Sequence, residues 1–291
     1  MREAIVMQPI IEKFASDLRR EIRKSRFRSQ VVSIVLLGSA ARGEFIKDES
    51  DIDFMVVVRR NSQKKAVTKF VSQVLNRLDK KLDMHLKETC SDRNDYHNEI
   101  LNIIMRLESS VFFGVPFYTI SLEDYDFFRN RIQNPKIWFV ATFLGSLNQF
   151  LLNVKDTGKT IYGRDLLKLI NIHLTYVDKI KIFGEQLLVM FAGALVLPFS
   201  SRLALKHFVK SSLYQEEFDL MFLHKHLKGY VKDRKTFSKA FSSDKKALAH
   251  LKKSINYRLN YKKVSPSRGE TLKYMAETLF FVFNTMRKTG I

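Results

Sequence analysis

The stretch that most constrains this chain is residues 31–58, VVSIVLLGSAARGEFIKDESDIDFMVVV. Val31 to Leu37 is an apolar, β-branched run of the kind that forms a buried strand. Gly38 and Ser39 interrupt it, and Ser-Ala-Ala-Arg can open a short helix. After a charged link, a second strand is expected over 51–58. On it Asp51 and Asp53 share one face and Ile52 and Phe54 the other, because strand side chains alternate. Two carboxylates at a sheet edge would then stand opposite a Gly-Ser turn.

Each part has a chemical use. A glycine after a strand lets backbone N–H groups approach a ligand closely, and the start of a helix favours anions, phosphate above all. The Ser39 hydroxyl adds a donor. Two aspartates offer hard oxygen ligands suited to Mg²⁺ shared with a nucleotide's phosphates. Either feature alone is commonplace, a turn or a solvated loop. It is their combination, strand, Gly-Ser, helix, strand, Asp-x-Asp, that carries weight.

The rest of the chain divides by pattern. Residues 2–26 read as a helix with Ile10, Ile11, Phe14 and Leu18 on one face and a basic end. A helix near 62–79 repeats Val67, Phe70, Val71, Val74 and Leu78 at helical spacing. In 81–87, Leu82, Met84 and Leu86 alternate with Asp83, His85 and Lys87, which predicts a strand. His85 shares the face of Asp83, where a catalytic or metal role is open to it, and reads first as a half-exposed strand residue. Residues 92–113 read as a helix closed by Gly114, and Pro116 to Ile120 as a last, edge strand. From about 122 strand signals stop. Helices are expected over 122–132, 136–154, 164–171, 174–197, 202–230, 244–260 and 267–287, with breaks at Pro135, Gly158, Gly163, Pro198 and Pro266. The expected division is a first domain over 1–125 and a basic helical domain over 126–291.

Composition narrows the class. The single cysteine, Cys90, excludes an internal disulfide framework and fits a reducing interior. The longest apolar run, Leu187 to Pro198, is too short for a bilayer, so a cytoplasmic protein without a membrane partner is expected. A net charge of +20 favours a polyanionic partner or reflects lysine-covered helix faces. The last ninety residues are the most basic, and Tyr230, Phe237, Phe241, Tyr257 and Tyr261 lie among the cations. That pattern serves an RNA groove, with cations on phosphates and rings on bases. It equally describes helices with an aromatic core face and a lysine outer face.

GSAARGE followed by SDID resembles the DNA polymerase β-like nucleotidyltransferase superfamily, whose signature is a Gly-Ser pair and then Asp-x-Asp. The Arg-Gly-Glu is most similar to its small branches, the aminoglycoside and minimal nucleotidyltransferases. The resemblance covers Leu37 to Val58, with a weaker fit at Asp83. It implies an α+β fold: a nucleotidyltransferase-type mixed sheet with helices, followed here by an all-helical C-terminal region. It implies a Mg²⁺-dependent enzyme with a two-metal site on Asp51, Asp53 and Asp83, the last also taking the acceptor's proton. Gly38 and Ser39 would hold the triphosphate of an NTP, expected to be ATP, with Arg42 a further phosphate contact. Tyr162 and Arg164, in IYGRDLL, match an element of the small-molecule relatives, though a tight glycine turn explains them as well. For the acceptor, RNA of the tRNA type comes first, a small antibiotic-type molecule second and a protein hydroxyl third. A non-catalytic relative that binds nucleotide or RNA is the reading from another class, and the presence of all three carboxylates argues against it.

Overall fold

The computed structural model describes residues 8–46, 50, 52–84, 117–127, 129, 131–135, 138, 146–223, 225 and 230–290. A four-stranded mixed sheet organises the first part. Its strands are β1 (Val31–Leu36), β2 (Phe54–Val58), β3 (Phe117–Ser121) and, from further along the chain, Lys159–Gly163. The spatial order is β3, β2, β1 and then Lys159–Gly163. β2 runs antiparallel to β1 and parallel to β3, and Lys159–Gly163 pairs antiparallel with β1. β1 and β2 are central, and both read as near-continuous apolar runs because both faces of the sheet are covered. Ile34, Leu36, Phe54 and Val56 share one core with Phe14, Leu18 and Ile22 of α1 (Pro9–Lys24) and Val67, Val71 and Val74 of α3 (Lys64–Leu82). Phe14 stacks on Phe54 with ring centroids 5.7 Å apart.

Several expectations change here. The helix α3 continues to Leu82, so the strand predicted for 81–87 does not form over its first residues. Asp83 is the helix C-cap in the left-handed region, at φ 50°. Leu78 and Leu82 prolong the four-residue spacing of Val67, Val71, Val74 and Leu75, and over this stretch the helical period prevails over the alternation. Residues 85–87, including His85, lie outside the described residues, as do Cys90 and the helix expected over 92–113. PFYTI does supply an edge strand, β3.

The helix expected over 122–132 is instead a turn and a small hairpin, β4 (Tyr125–Asp126) with β5 (Arg131–Ile132). Asp124 explains it. Its buried carboxylate accepts from Ser121 N–H at 2.9 Å, Asn134 Nδ2 at 2.6 Å and Lys64 Nζ at 2.7 Å, which fixes a turn; burial alone would raise its pKa, but these donors hold it below the usual carboxylate value. After α4 (Leu147–Thr157) comes β6 (Lys159–Gly163), a strand where the sequence had suggested only glycine breaks. Leu167–Leu169 makes a single 3₁₀ turn rather than the helix expected over 164–171.

The chain forms two compact units. The first holds, of the described residues, 8–138 and 150–173, and the second 146–149 and everything from Leu174. The sheet therefore draws in residues beyond 125, where the division was expected, because β6 pairs with β1. The second unit is helical: α5 (Tyr176–Val196), α6 (Ser201–Phe222), α7 (Tyr230–Ala240), α8 (Lys245–Leu259) and α9 (Arg268–Lys288). Capping boxes at Thr175/Asp178 and Ser267/Glu270 start α5 and α9. α6 is central and almost wholly buried. No helix among the described residues is long and apolar enough to cross a membrane.

The second unit buries ionisable groups with opposite effects. Burial pushes Asp219 up to about 8, with Gln215 Nε2 donating to it at 2.8 Å, and pushes Glu185 up to about 7. Burial pushes His250, whose Nε2 meets Ser212 Oγ at 2.9 Å, down to about 4. Between pH 4 and 6.5 the unfolded chain binds a proton at His250 that the folded chain refuses, so that term raises stability with pH. The two acids work the other way up to their folded values, because the folded chain keeps protons that the unfolded chain releases. Above pH 6.5 only the acids remain. Stability is therefore expected to fall between pH 6.5 and 8, by about 2 kcal/mol from Asp219 alone. Calorimetry on Asp219→Asn, which mimics the protonated acid, should show a flatter decline; an unchanged slope would refute the assignment.

Candidate active site

The Gly-Ser turn and the Asp-x-Asp segment meet at one end of the sheet. The β1–β2 ladder closes with Leu36 opposite Phe54, and the next bond runs from Leu37 N–H to the Asp53 carbonyl at 2.8 Å. Asp53 is thus the last residue before β2, which begins at Phe54 rather than at 51. Ile52 and Phe54 enter the core as expected, at 2% and 1% exposure, while Asp53 stays half-buried. Asp51 lies outside the described residues.

Gly38 opens α2 (Gly38–Arg42) with φ +63°. A Cβ placed on it would lie 2.6 Å from Asp53 Oδ2. The carboxylate sits directly against the glycine, and no other residue type would leave room for it. Ala40 and Ala41 are fully buried in the sheet core, which draws the turn inward, while Gly38 and Ser39 remain partly open. α2 has five residues, little more than one turn, so its macrodipole is small. What it offers an anion is local: the early N–H groups of a helix, which lack intrahelical carbonyls, and the Ser39 hydroxyl.

Arg42 is buried, at 7% exposure, and its Nε lies 3.3 Å from Glu44 Oε2. Its guanidinium is committed to the turn, and reaching a phosphate would require leaving Glu44. Glu44 is the last residue of the Arg-Gly-Glu motif, and its pairing with Arg42 is visible only in the fold. Asp83 is described only as the cap of α3, so strand alternation no longer supplies the reason for it to share a face with Asp53. Among the described residues no three His, Cys, Asp or Glu side chains gather as a metal cluster. Among the described residues of the motif, Asp53 fits the hard-oxygen requirement of Mg²⁺, half-buried beside a turn able to hold phosphate.

The basic C-terminal helices also become clear. Phe237 and Phe241 are buried and stack on each other at 4.2 Å, with Phe237 against Phe281. Tyr257 packs edge-on to the buried Tyr274, and Tyr261 lies beneath Arg202 and donates its hydroxyl to the Arg202 carbonyl. These rings belong to the packing of the helices. Lys235, Lys239, Lys245, Lys246 and Lys252 remain exposed around them. Tyr162, in β6, donates to the Arg28 carbonyl at 3.3 Å, and Gly163 forms the tight turn that follows.

Residues 18–110 match the family model described as a nucleotidyltransferase domain. Among solved structures the chain is similar to spectinomycin adenyltransferase AAD(9) from Enterococcus faecialis, determined with ATP and spectinomycin. Identity is 13%, coverage is 97% of this chain and 100% of that one, and the TM-score is 0.44, a likeness too distant to carry an activity or a ligand across. No curated protein matches the chain. The matched span contains the Gly-Ser turn and Asp53 seated against it, and over this span the chain is similar to nucleotidyltransferase domains.

Proposed function

We propose that the protein transfers a nucleoside monophosphate from ATP to an acceptor hydroxyl at the junction of Gly38, Ser39 and Asp53. The observation that carries this is the seat of the Asp53 carboxylate against Gly38, with 2.6 Å to the position of an absent Cβ. It brings an anion-binding turn and a metal-binding oxygen into contact. Backbone N–H groups of the turn and Ser39 Oγ would bind the triphosphate and orient it. Asp53, with Asp51, would hold Mg²⁺, which when bound neutralises phosphate charge and activates oxygen. The acceptor oxygen attacks the α-phosphorus, the bond to the leaving pyrophosphate breaks, and the acceptor's proton passes to a base. Asp83 is the candidate for that base.

Asp83→Asn tests the assignment without disturbing the backbone, because asparagine also tolerates the left-handed conformation that Asp83 adopts at φ 50°. Turnover should fall about 10²-fold or more with melting temperature and ATP affinity retained. Full activity would exclude Asp83 as the base.

For the acceptor, the exposed cations of the helical unit favour RNA, such as a tRNA-like polyanion. With Phe237 and Phe241 buried, contact would run through phosphates and depend steeply on salt. The same burial takes Phe237 and Phe241 out of any base stacking, which keeps a small hydroxylated molecule as the second reading. Incubation with α-labelled ATP, Mg²⁺ and either total tRNA or a panel of hydroxylated antibiotics separates them. Label in the tRNA band, lost as salt is raised, supports RNA. Label on the small molecule alone replaces it.

A further inference from the structure

Among the described residues, the helical unit carries an apolar face that no other element covers. No exposed residue of α5 is charged. Val177, Ile180, Leu187, Leu188, Phe191 and Leu195 fall on one face of the helix and are exposed, Phe191 at 61%. The opposite side is buried: Ile182, Val189, Met190 and Val196 pack there beside the hydrogen-bonded Asp178 and Gln186, and Gly193 lets α6 approach so closely that a Cβ there would lie 2.7 Å from Phe208. An apolar stripe of this length on the outward side of a helix whose inner side is already packed calls for a second cover.

α9 continues the face. Leu272, Leu279, Phe280 and Phe283 are its outward apolar residues, Phe280 at 57% exposure at the edge of the face, where Lys246 Nζ of α8 lies 5.9 Å from its ring centroid. The two helices lie antiparallel, as their ends show. Lys179 Nζ donates to the Thr289 carbonyl at 3.0 Å at one end, and Arg268 Nη2 to the Pro198 carbonyl at 2.8 Å at the other. Their stripes meet where Phe183 packs edge-on to Phe283 at 5.1 Å.

We infer that this face binds a second copy of the chain, with α5 and α9 of each copy forming a four-helix layer across a two-fold axis. Two observations favour a copy over another occupant. An antiparallel helix pair is self-complementary under such an axis, so each outward stripe can meet an apolar stripe of the other copy. The exposed apolar side chains of the two helices also present on the order of 1,000 Å², against about 800 Å² that each partner contributes to a standard stable interface. The charge of +20 on each copy opposes association. However, α5 brings no exposed charge to the interface, and like charges further than about 8 Å apart are largely screened at physiological salt.

The test is the mass of the full chain by light scattering after gel filtration, with Phe191→Glu on α5 and Phe280→Glu on α9. The wild type should have twice the 34.1 kDa of one chain. Each variant should weaken the dimer at least about 100-fold and elute as a monomer with an unchanged helical circular dichroism signal. Two variants on separate helices keep a folding defect in one from being read as dissociation. A wild type that is monomeric from about 1 to 100 µM overturns the inference. So does a well-folded Phe191→Glu or Phe280→Glu protein that stays dimeric. A monomer that co-floats with anionic phosphatidylglycerol vesicles overturns it too, in favour of a lipid-facing helix pair.

Discussion

Asp53→Asn is expected to lower nucleotidyl transfer by about 10³-fold or more while the fold stays intact. The change keeps the shape of the side chain and removes its charge and one hard ligand oxygen. The features that place residue 53 are untouched, since Leu37 N–H bonds to its carbonyl and Ile52 and Phe54 on either side stay buried. The expected signature is a collapse of kcat at saturating ATP, a weakened Mg²⁺ dependence and a melting temperature within a few degrees of wild type. Asp53→Glu should also fail, because the added methylene lengthens a side chain that already abuts Gly38. If Asp53→Asn turned over within tenfold of wild type, the carboxylate would not hold the metal and the proposed site would have to move.

The sequence revealed most where a single period ran unopposed. The buried runs 31–37 and 54–58 became β1 and β2, and the 3.6 spacing of 67–78 became α3, because each pattern matched one kind of packing. It misled where two periods overlapped. LDMHLKE alternates, but Leu82 also extends the face of α3, and the neighbouring sheet core rewards that face, with Met84 buried just beyond the cap. It also misled where local chemistry outweighed periodicity. Asp124 turned an expected helix into a hairpin by gathering three donors around one buried carboxylate. β6 was hidden because Thr160, Ile161 and Tyr162 form too short a run between two glycines to register, although all three are β-favouring residues. At the site, the motif named Gly38, Ser39 and Asp53, while the inward pairing of Arg42 with Glu44 could be seen only in three dimensions.

Two glycine substitutions should separate the sheet from the site, and Gly163→Ala should be the more damaging to stability. At Gly163, with φ +76°, a Cβ would lie 2.1 Å from the Val32 carbonyl oxygen and 2.9 Å from its carbon. Both are backbone atoms of the central strand and cannot rotate aside. β6 would have to leave β1, and the bond from Arg164 N–H to the Val32 carbonyl, 2.9 Å long, would go with it. Left-handed strain adds about 1–2 kcal/mol. A loss of at least about 3 kcal/mol is expected, roughly a 10 °C fall in melting temperature. At Gly38 the φ is also positive, yet the atom in the way is Asp53 Oδ2, the tip of a side chain that can turn. Gly38→Ala should therefore cost only about 1–2 kcal/mol. Turnover should fall about 10²-fold, because the turning carboxylate leaves the place from which it serves the metal. Calorimetry and kcat on the two variants give opposite rankings if β6 is pinned by backbone and Asp53 by the absence of a side chain. Equal stability losses with equal activities would mean that the Gly38 contact has no part in the chemistry.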